Sequence, residues 1–213
     1  ADYWDDLEIR FPLHHRSLIE AEAEKNAIES AWIFAILRQE SMFIPGARSP
    51  VGALGLMQIM PPTAKDLAKR LKIKNPSEDE LLKPELNIRL GSYYLRLLKS
   101  QFNGWELLAI PSYNAGPHRT QRWLPDEELE VDLWIEDIPF DETRLYVQRV
   151  LSYRVLYQYR MGQKVTRLKG YLPAKISKAL LQSAPSATQV AAQSSGQVKA
   201  SSEPAAKKGF LDH

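Results

Sequence analysis

The sequence predicts a mainly α-helical domain with one short loop or β-hairpin segment beside its functional centre. Two observations carry that reading. Apolar residues recur at helical spacing in long stretches: Ile33, Ile36 and Leu37; Leu86, Leu90, Tyr94, Leu97 and Leu98; Tyr146, Val150, Tyr153 and Tyr157. Prolines and glycines punctuate these stretches, and a glycine-studded segment from Pro45 to Gly55 interrupts the helical pattern.

Taken in order, residues 1–15 read as extended or loosely ordered, with Phe11-Pro12-Leu13 docking on the domain. Ser17 to Glu24 reads as a short, mostly solvated helix. Ala27 to Glu40 forms the next, with Asn26 and Glu29 in N-cap and N3 spacing. Pro45-Gly46 stops it. Ser49-Pro50, Gly52 and Gly55 then build a loop or hairpin that folds back across the helix end, with Leu54, Leu56 and Ile59 facing inward. Pro61-Pro62 fits the first turn of a helix through about Leu71, and Lys74 to Lys83 is a polar connector. Glu85 to Phe102 is a long amphipathic helix in which Gly91 permits close helix–helix contact. Trp105 to Ala115 follows, ended by Gly116-Pro117, with Pro111 expected to kink it. Arg119 to Leu124 adds a turn, Leu133 to Ile138 leads on, and Asp141 to Met161 is the last core helix, stopped by Gly162. From about Leu181 the chain turns to Ser, Ala, Gln, Pro and Lys and is expected to be disordered.

Glu40 is the residue that this order singles out. It follows Ile33, Ile36 and Leu37 by seven, four and three positions, so it projects from their apolar face. Burial and the negative end of the helix dipole both favour its neutral form. A carboxylic acid that keeps its proton near neutral pH is what general acid catalysis needs. A lone glutamate is more often a solvated helix end, so its neighbours decide the matter.

Composition narrows the classes. At 213 residues the chain suits one domain plus trimmings. It has no cysteine, which removes disulfides, thiolate catalysis and zinc–cysteine sites. No apolar run is long enough to span a membrane. The start, Ala1 to Asp6, lacks the basic and apolar regions of a signal peptide and reads as a cut within a longer chain. His14-His15 point to different helix faces with no third ligand near, so no metal or other cofactor is expected. A net charge of +2 hides an asymmetry: residues 123–143 carry nine acids and no Lys or Arg, whereas residues 144–202 carry no acid. A basic half suits an anionic polymer. Its arginines share no single stripe, which argues against nucleic acid.

Five blocks carry a family signature: Arg38-Gln39-Glu40-Ser41; Ser49 to Pro61, with Gly52-Ala53-Leu54-Gly55-Leu56-Met57-Gln58 inside it; Asn87-Ile88-Arg89-Leu90-Gly91; Ser112-Tyr113-Asn114-Ala115-Gly116-Pro117; and Ile138-Pro139-Phe140-Asp141-Glu142-Thr143-Arg144-Leu145-Tyr146-Val147. In content and order they resemble the catalytic domain of the soluble lytic transglycosylases of Gram-negative bacteria. The resemblance implies a lysozyme-like helical domain, similar to goose-type lysozyme. That domain cleaves the β-1,4 bond between N-acetylmuramic acid and N-acetylglucosamine in peptidoglycan and leaves a 1,6-anhydro end. Domain limits follow: 1–25 as the end of a missing helical superstructure, 26–181 as the catalytic domain, and 182–213 as a tail.

The same resemblance assigns residues. Glu40 would act as acid and then as base. Ser49 would place a hydroxyl near the substrate's acetamido group or C6 oxygen. Gln58 and the Met60 backbone would line the muramic acid subsite. Tyr113 would offer its hydroxyl to the acetamido group or to Glu40, Asn114 would brace a loop, and Glu142 would position substrate from the groove. Pro111 departs from the family pattern, where small residues precede this tyrosine. The implied partner is peptidoglycan, met by a monomer in the periplasm without a membrane span. A lysozyme-type hydrolase and a non-catalytic peptidoglycan-binding module are the rival readings. The first would need a second carboxylate in the groove to hold a water; Ser41 to Met60 contains no acid, so it would have to be a distant one such as Glu142, brought in by folding.

Overall fold

A computed structural model describes residues 6–183. The fold is mostly helical: α1 (Asp6–Arg10), α2 (Arg16–Asn26), α3 (Ser30–Ser41), α4 (Pro61–Arg70), α5 (Glu78–Leu81), α6 (Pro84–Gln101), α7 (Glu106–Ala115), α8 (Pro117–Trp123), α9 (Val131–Glu136), α10 (Asp141–Arg160) and α11 (Lys178–Ser183). Two short strands, β1 (Leu129–Glu130) and β2 (Lys175–Ile176), pair antiparallel with Leu129 opposite Ile176.

The centre of the core is α3. Every residue from Ala31 to Leu37 is buried, so this helix is enclosed on all sides rather than presenting the single stripe its spacing suggests. Its longest neighbour is α10, packed along it, while α2 lies against both α3 and α6. Phe11 is buried between Tyr153 and Tyr157, which holds the N-terminal residues down through edge-on aromatic contacts at 5.5 Å. The expected docking of Phe11 is thus met, but Asp6–Arg10 is helical rather than extended.

Three local departures from expectation have physical causes. Helix α3 begins at Ser30, not Ala27, because Ala27 takes the left-handed conformation that ends α2. Asn26 is spent inside α2, donating to the Glu22 carbonyl, and the Glu29 carboxylate is drawn away to Arg154 and Gln158. Within the polar connector, Ser77 and Glu80 exchange side-chain and backbone hydrogen bonds, a capping box that nucleates α5. Helix α7 runs through buried Pro111 without a break.

The charge asymmetry resolves within the chain. Lys175 pairs with Glu128 at 3.1 Å and Lys178 with Asp126 at 2.7 Å, so part of the basic C-terminal region neutralises part of the acidic stretch. Ile176 and Ser177 are buried beneath this contact, and the Asn103 amide donates to the Leu181 carbonyl. Helix α11 takes in Gln182 and Ser183; the rest of the expected tail, from 184, lies outside the described residues.

Candidate active site

Glu40 lies in the last turn of α3, half-buried, with Met42 and Phe43 in left-handed backbone conformation just beyond it. That sharp exit turns the chain into the loop of residues 42–60. Ser41 fastens the loop to the helix end by donating to the Leu56 carbonyl at 2.7 Å. Arg48 pairs with Leu54, and Leu54 with Ile59, in isolated antiparallel bridges, so the segment folds back as a small hairpin. Leu54, Leu56 and Ile59 point into the core as their spacing predicts.

Two positions fix where this loop sits. Asn87, wholly buried on α6, accepts from the Met57 N–H at 2.7 Å and donates to the carbonyls of Leu54 and Leu81. Gly55 has φ +77, and a Cβ there would meet the Asn87 amide at 2.4 Å and the Leu81 carbonyl at 2.7 Å. Gly91 does mediate a close approach, but its partner is the Met57 side chain of the loop and not another helix.

The Glu40 carboxyl accepts a hydrogen bond from the Tyr146 hydroxyl of α10 at 2.6 Å. Burial pushes its pKa up from 4.5 to about 7; the Tyr146 bond opposes this and the nearby Glu142 charge adds to it. No cation faces Glu40 closely enough to reverse the shift. Around neutral pH the site therefore holds a carboxyl group that both gives and takes a proton readily.

The hydroxyl of Tyr113 goes elsewhere. It donates to the Met57 carbonyl at 2.9 Å, and its ring packs on Tyr94 with centroids 5.3 Å apart. Burial, then the Glu40 charge, raises its pKa well above the ordinary phenol value, so it stays a neutral donor. Thus the hydrogen bond to Glu40 comes from Tyr146 and not from Tyr113, for which Glu40 was one of two expected partners beside the substrate's acetamido group, while Tyr113 stays near enough for Glu40 to be felt electrostatically. In the sequence Tyr146 is visible as the first member of the helical stripe Tyr146, Val150, Tyr153 and Tyr157, and nothing local pairs it with Glu40.

A groove of about 440 Å³ contains Glu40, Ser49 and Gln58 together. Gln58 has φ +45, and its amide donates to the carbonyls of Ala47 and Gly55, so the side chain braces the loop while lining the groove. Ser49 Oγ accepts from the Ala53 N–H at 2.9 Å. Met60 caps α4, is 37% exposed, and is not part of this groove's lining. Asn114 accepts from the Thr143 hydroxyl at 2.6 Å and donates to the exposed Glu142 carboxylate at 3.2 Å, tying α7 to the start of α10. A second cavity, of about 510 Å³, lies between α4 and α6 and contains Tyr94 but not Glu40. No cluster of potential metal ligands occurs among the described residues.

Comparison with known proteins agrees with this geometry. The Transglycosylase SLT domain family matches residues 17–130, and the Soluble lytic transglycosylase helical domain matches residues 137–165. The "Soluble lytic murein transglycosylase" of Escherichia coli (strain K12) is 43% identical over 166 residues, 76% of this chain and 26% of that protein. A "Putative soluble lytic murein transglycosylase" of Haemophilus influenzae is 38% identical over 160 residues, 74% of this chain and 27% of its own length. The chain thus spans about a quarter of the length of these relatives. Among solved structures, an inactive mutant of the lytic transglycosylase Slt from Pseudomonas aeruginosa superimposes with a TM-score of 0.75 at 47% identity, over 83% of this chain and 29% of that one. The 70-kDa soluble lytic transglycosylase of Escherichia coli gives 0.72 at 40%, over 80% and 28%. With the helical core, the loop at the end of α3 and more than half of the sequence in agreement, the chain belongs to the transglycosylase SLT domain family.

Proposed function

We propose that this chain is the catalytic portion of a peptidoglycan lytic transglycosylase. The observation that carries the reading is Glu40: a carboxyl with a pKa of about 7 in an open groove, hydrogen-bonded by a neutral tyrosine. In the reaction, Glu40 gives its proton to the oxygen linking N-acetylmuramic acid to N-acetylglucosamine, and the C1–O4 bond breaks. The substrate's acetamido group steadies the cation at C1. The muramic C6 hydroxyl then bonds to C1 and returns its proton to Glu40, closing the 1,6-anhydro ring without consuming water. Tyr146 supports the first half, because its hydrogen bond favours the carboxylate left when the proton is given up. Ser49 and Gln58 line the muramic acid subsite, Tyr113 stands close to Glu40 as a neutral hydroxyl for the acetamido group, and Glu142, held by Asn114, positions the strand. The polymer places the enzyme in the periplasm of a Gram-negative bacterium, and no described helix is long and apolar enough to cross a membrane. It acts there as a monomer.

One observation favours a second reading. The Glu142 charge is felt at Glu40, so a second carboxylate stands within electrostatic reach of the acid. A lysozyme-type hydrolase would use it to hold water. Mass spectrometry of products from purified sacculi separates the two: the transglycosylase yields anhydro ends lighter by one water than the reducing ends of hydrolysis. Glu40→Gln should lower turnover by at least about 10⁴, since one residue makes both proton transfers and each such role is worth about 10²–10⁴. Reducing ends from the unmutated chain, or normal turnover by Glu40→Gln, would refute the proposal.

A further inference from the structure

The arginines of α10 divide into two kinds. Arg144 pairs with Asp141 and Glu136, Arg154 with Glu29 and Glu106, and Arg160 with Glu8. Arg149 is exposed and has no ion-pair or hydrogen-bond partner among the described residues. It is also the member of this set that lines the groove holding Glu40. It lies three residues after Tyr146, one turn along the helix from the group bonded to Glu40.

The groove's other two arginines are engaged. Arg38 donates to the Arg10 carbonyl at 2.7 Å, with its guanidinium 5.7 Å from the Tyr153 ring centroid. Arg48 pairs with Glu78 at 2.8 Å. The single acid in the lining is Glu40, which carries only about half a negative charge at neutral pH. The groove is therefore positive, and its one unspent cation is Arg149. Burial, Tyr146 and Glu142 set the Glu40 proton affinity, and Arg149 takes no part in it. A carboxylate bound at Arg149 would leave the acid in its working form.

From this we infer that Arg149 is a specificity-determining residue that binds a carboxylate of the muramyl unit beside the scissile bond. The inference rests on the peptidoglycan reading above. Two sources present that chemistry: the lactyl group once its peptide is removed, and the free carboxyls of an intact peptide stem. A guanidinium fork matches either one with two parallel hydrogen bonds, which an ammonium cannot reproduce.

Calorimetric titration in a Glu40→Gln background, where turnover is off, tests this with three tetrasaccharides. One carries peptide stems, one has had its stems removed and exposes lactyl carboxylates, and chitotetraose carries no carboxylate. Adding Arg149→Ala should weaken carboxylate-bearing ligands about tenfold, as expected for a charge-assisted hydrogen bond, and leave chitotetraose unchanged. Arg149→Lys should recover only part of the loss, and the difference should shrink at high salt. Loss confined to the stem-bearing ligand assigns the stem as the source, loss confined to the stem-free ligand assigns the lactyl group, and loss on both shows that the guanidinium takes either carboxylate. Equal losses on all three ligands, or none on any, would overturn the role of Arg149 and leave the transglycosylase reading standing. Failure of the Arg149-containing protein to bind any of the three would remove both.

Discussion

The two ends of α3 each present a glutamate to the same helix, α10, and they meet opposite chemistry. At the N-terminal end, Glu29 accepts from the Arg154 guanidinium and from Gln158. Arg154 is buried, lies over the Tyr171 ring at 3.9 Å, and also stands 2.7 Å from Glu106 as an ion pair without a well-aligned hydrogen bond. Lys99 completes the cluster at 2.7 Å from Glu106. At the C-terminal end, Glu40 meets only the neutral hydroxyl of Tyr146.

Burial is the largest single influence on both Glu106 and Glu40, and it pushes both upward. For Glu106, the charges of Arg154 and Lys99 outweigh it and hold the carboxyl below its ordinary value. For Glu40 nothing outweighs it, so the value rises to about 7. Burial alone therefore does not make an acid catalyst. The absence of a cationic partner does. The helix dipole works in the same sense, since its negative end faces Glu40.

Removing the cation from the structural end should give the largest effect on stability. Arg154→Met leaves partly buried Glu29 without a counter-charge and Glu106 with Lys99 alone. Breaking a buried pair costs about 3–5 kcal/mol. Because these carboxylates keep 24% and 23% of their side-chain surface open, about 3 kcal/mol is expected by chemical denaturation. Activity per folded molecule should persist at low temperature. A loss under about 1 kcal/mol would show that the cluster does not lock this end of α3.

The two ends should also respond to pH with opposite signs. Glu106, held low, contributes stability that is present above its unfolded pKa and is lost as pH falls through its folded value. Glu40, held high, contributes stability fully present below 4.5, which is lost as pH rises to about 7. Glu40→Gln should therefore match the unmutated chain in acid and melt higher above neutrality, by at most on the order of 3 kcal/mol. Glu106→Gln should be the less stable variant at neutral pH, with its deficit narrowing toward acid. Thermal melts across pH read both slopes, and parallel slopes would break the comparison.

The smallest effect should come from Tyr146→Phe. Its hydroxyl favours the charged form of Glu40, so removing it should move the alkaline limb of the pH–rate profile upward from about 7. It also withdraws support from the carboxylate formed between the two proton transfers, worth about tenfold in kcat for one hydrogen bond. An unchanged alkaline limb would mean that Tyr146 only packs.

By itself the sequence determined the longer helices (but not short α1 and α5), several of their proline starts and glycine stops, and the placing of Glu40 at a helix end beside a glycine-bearing loop. Such features are written within a few residues of one another: apolar spacing marks a helix, and a Gly at φ +77 or +67 marks a turn or a stop. Partners far apart in the chain are a different matter. Tyr113 and Tyr146 both sit on core-facing helical positions near Glu40, and local pattern gives no ground for choosing between them. The packing angle of α10 on α3 delivers the Tyr146 hydroxyl across 106 positions, while Tyr113 is turned to the Met57 carbonyl. Asn87 beneath the loop, Arg154 between two glutamates and unpaired Arg149 in the groove have the same origin. A side chain's protonation or pairing depends on which groups surround it in space, and only the tertiary structure decides that.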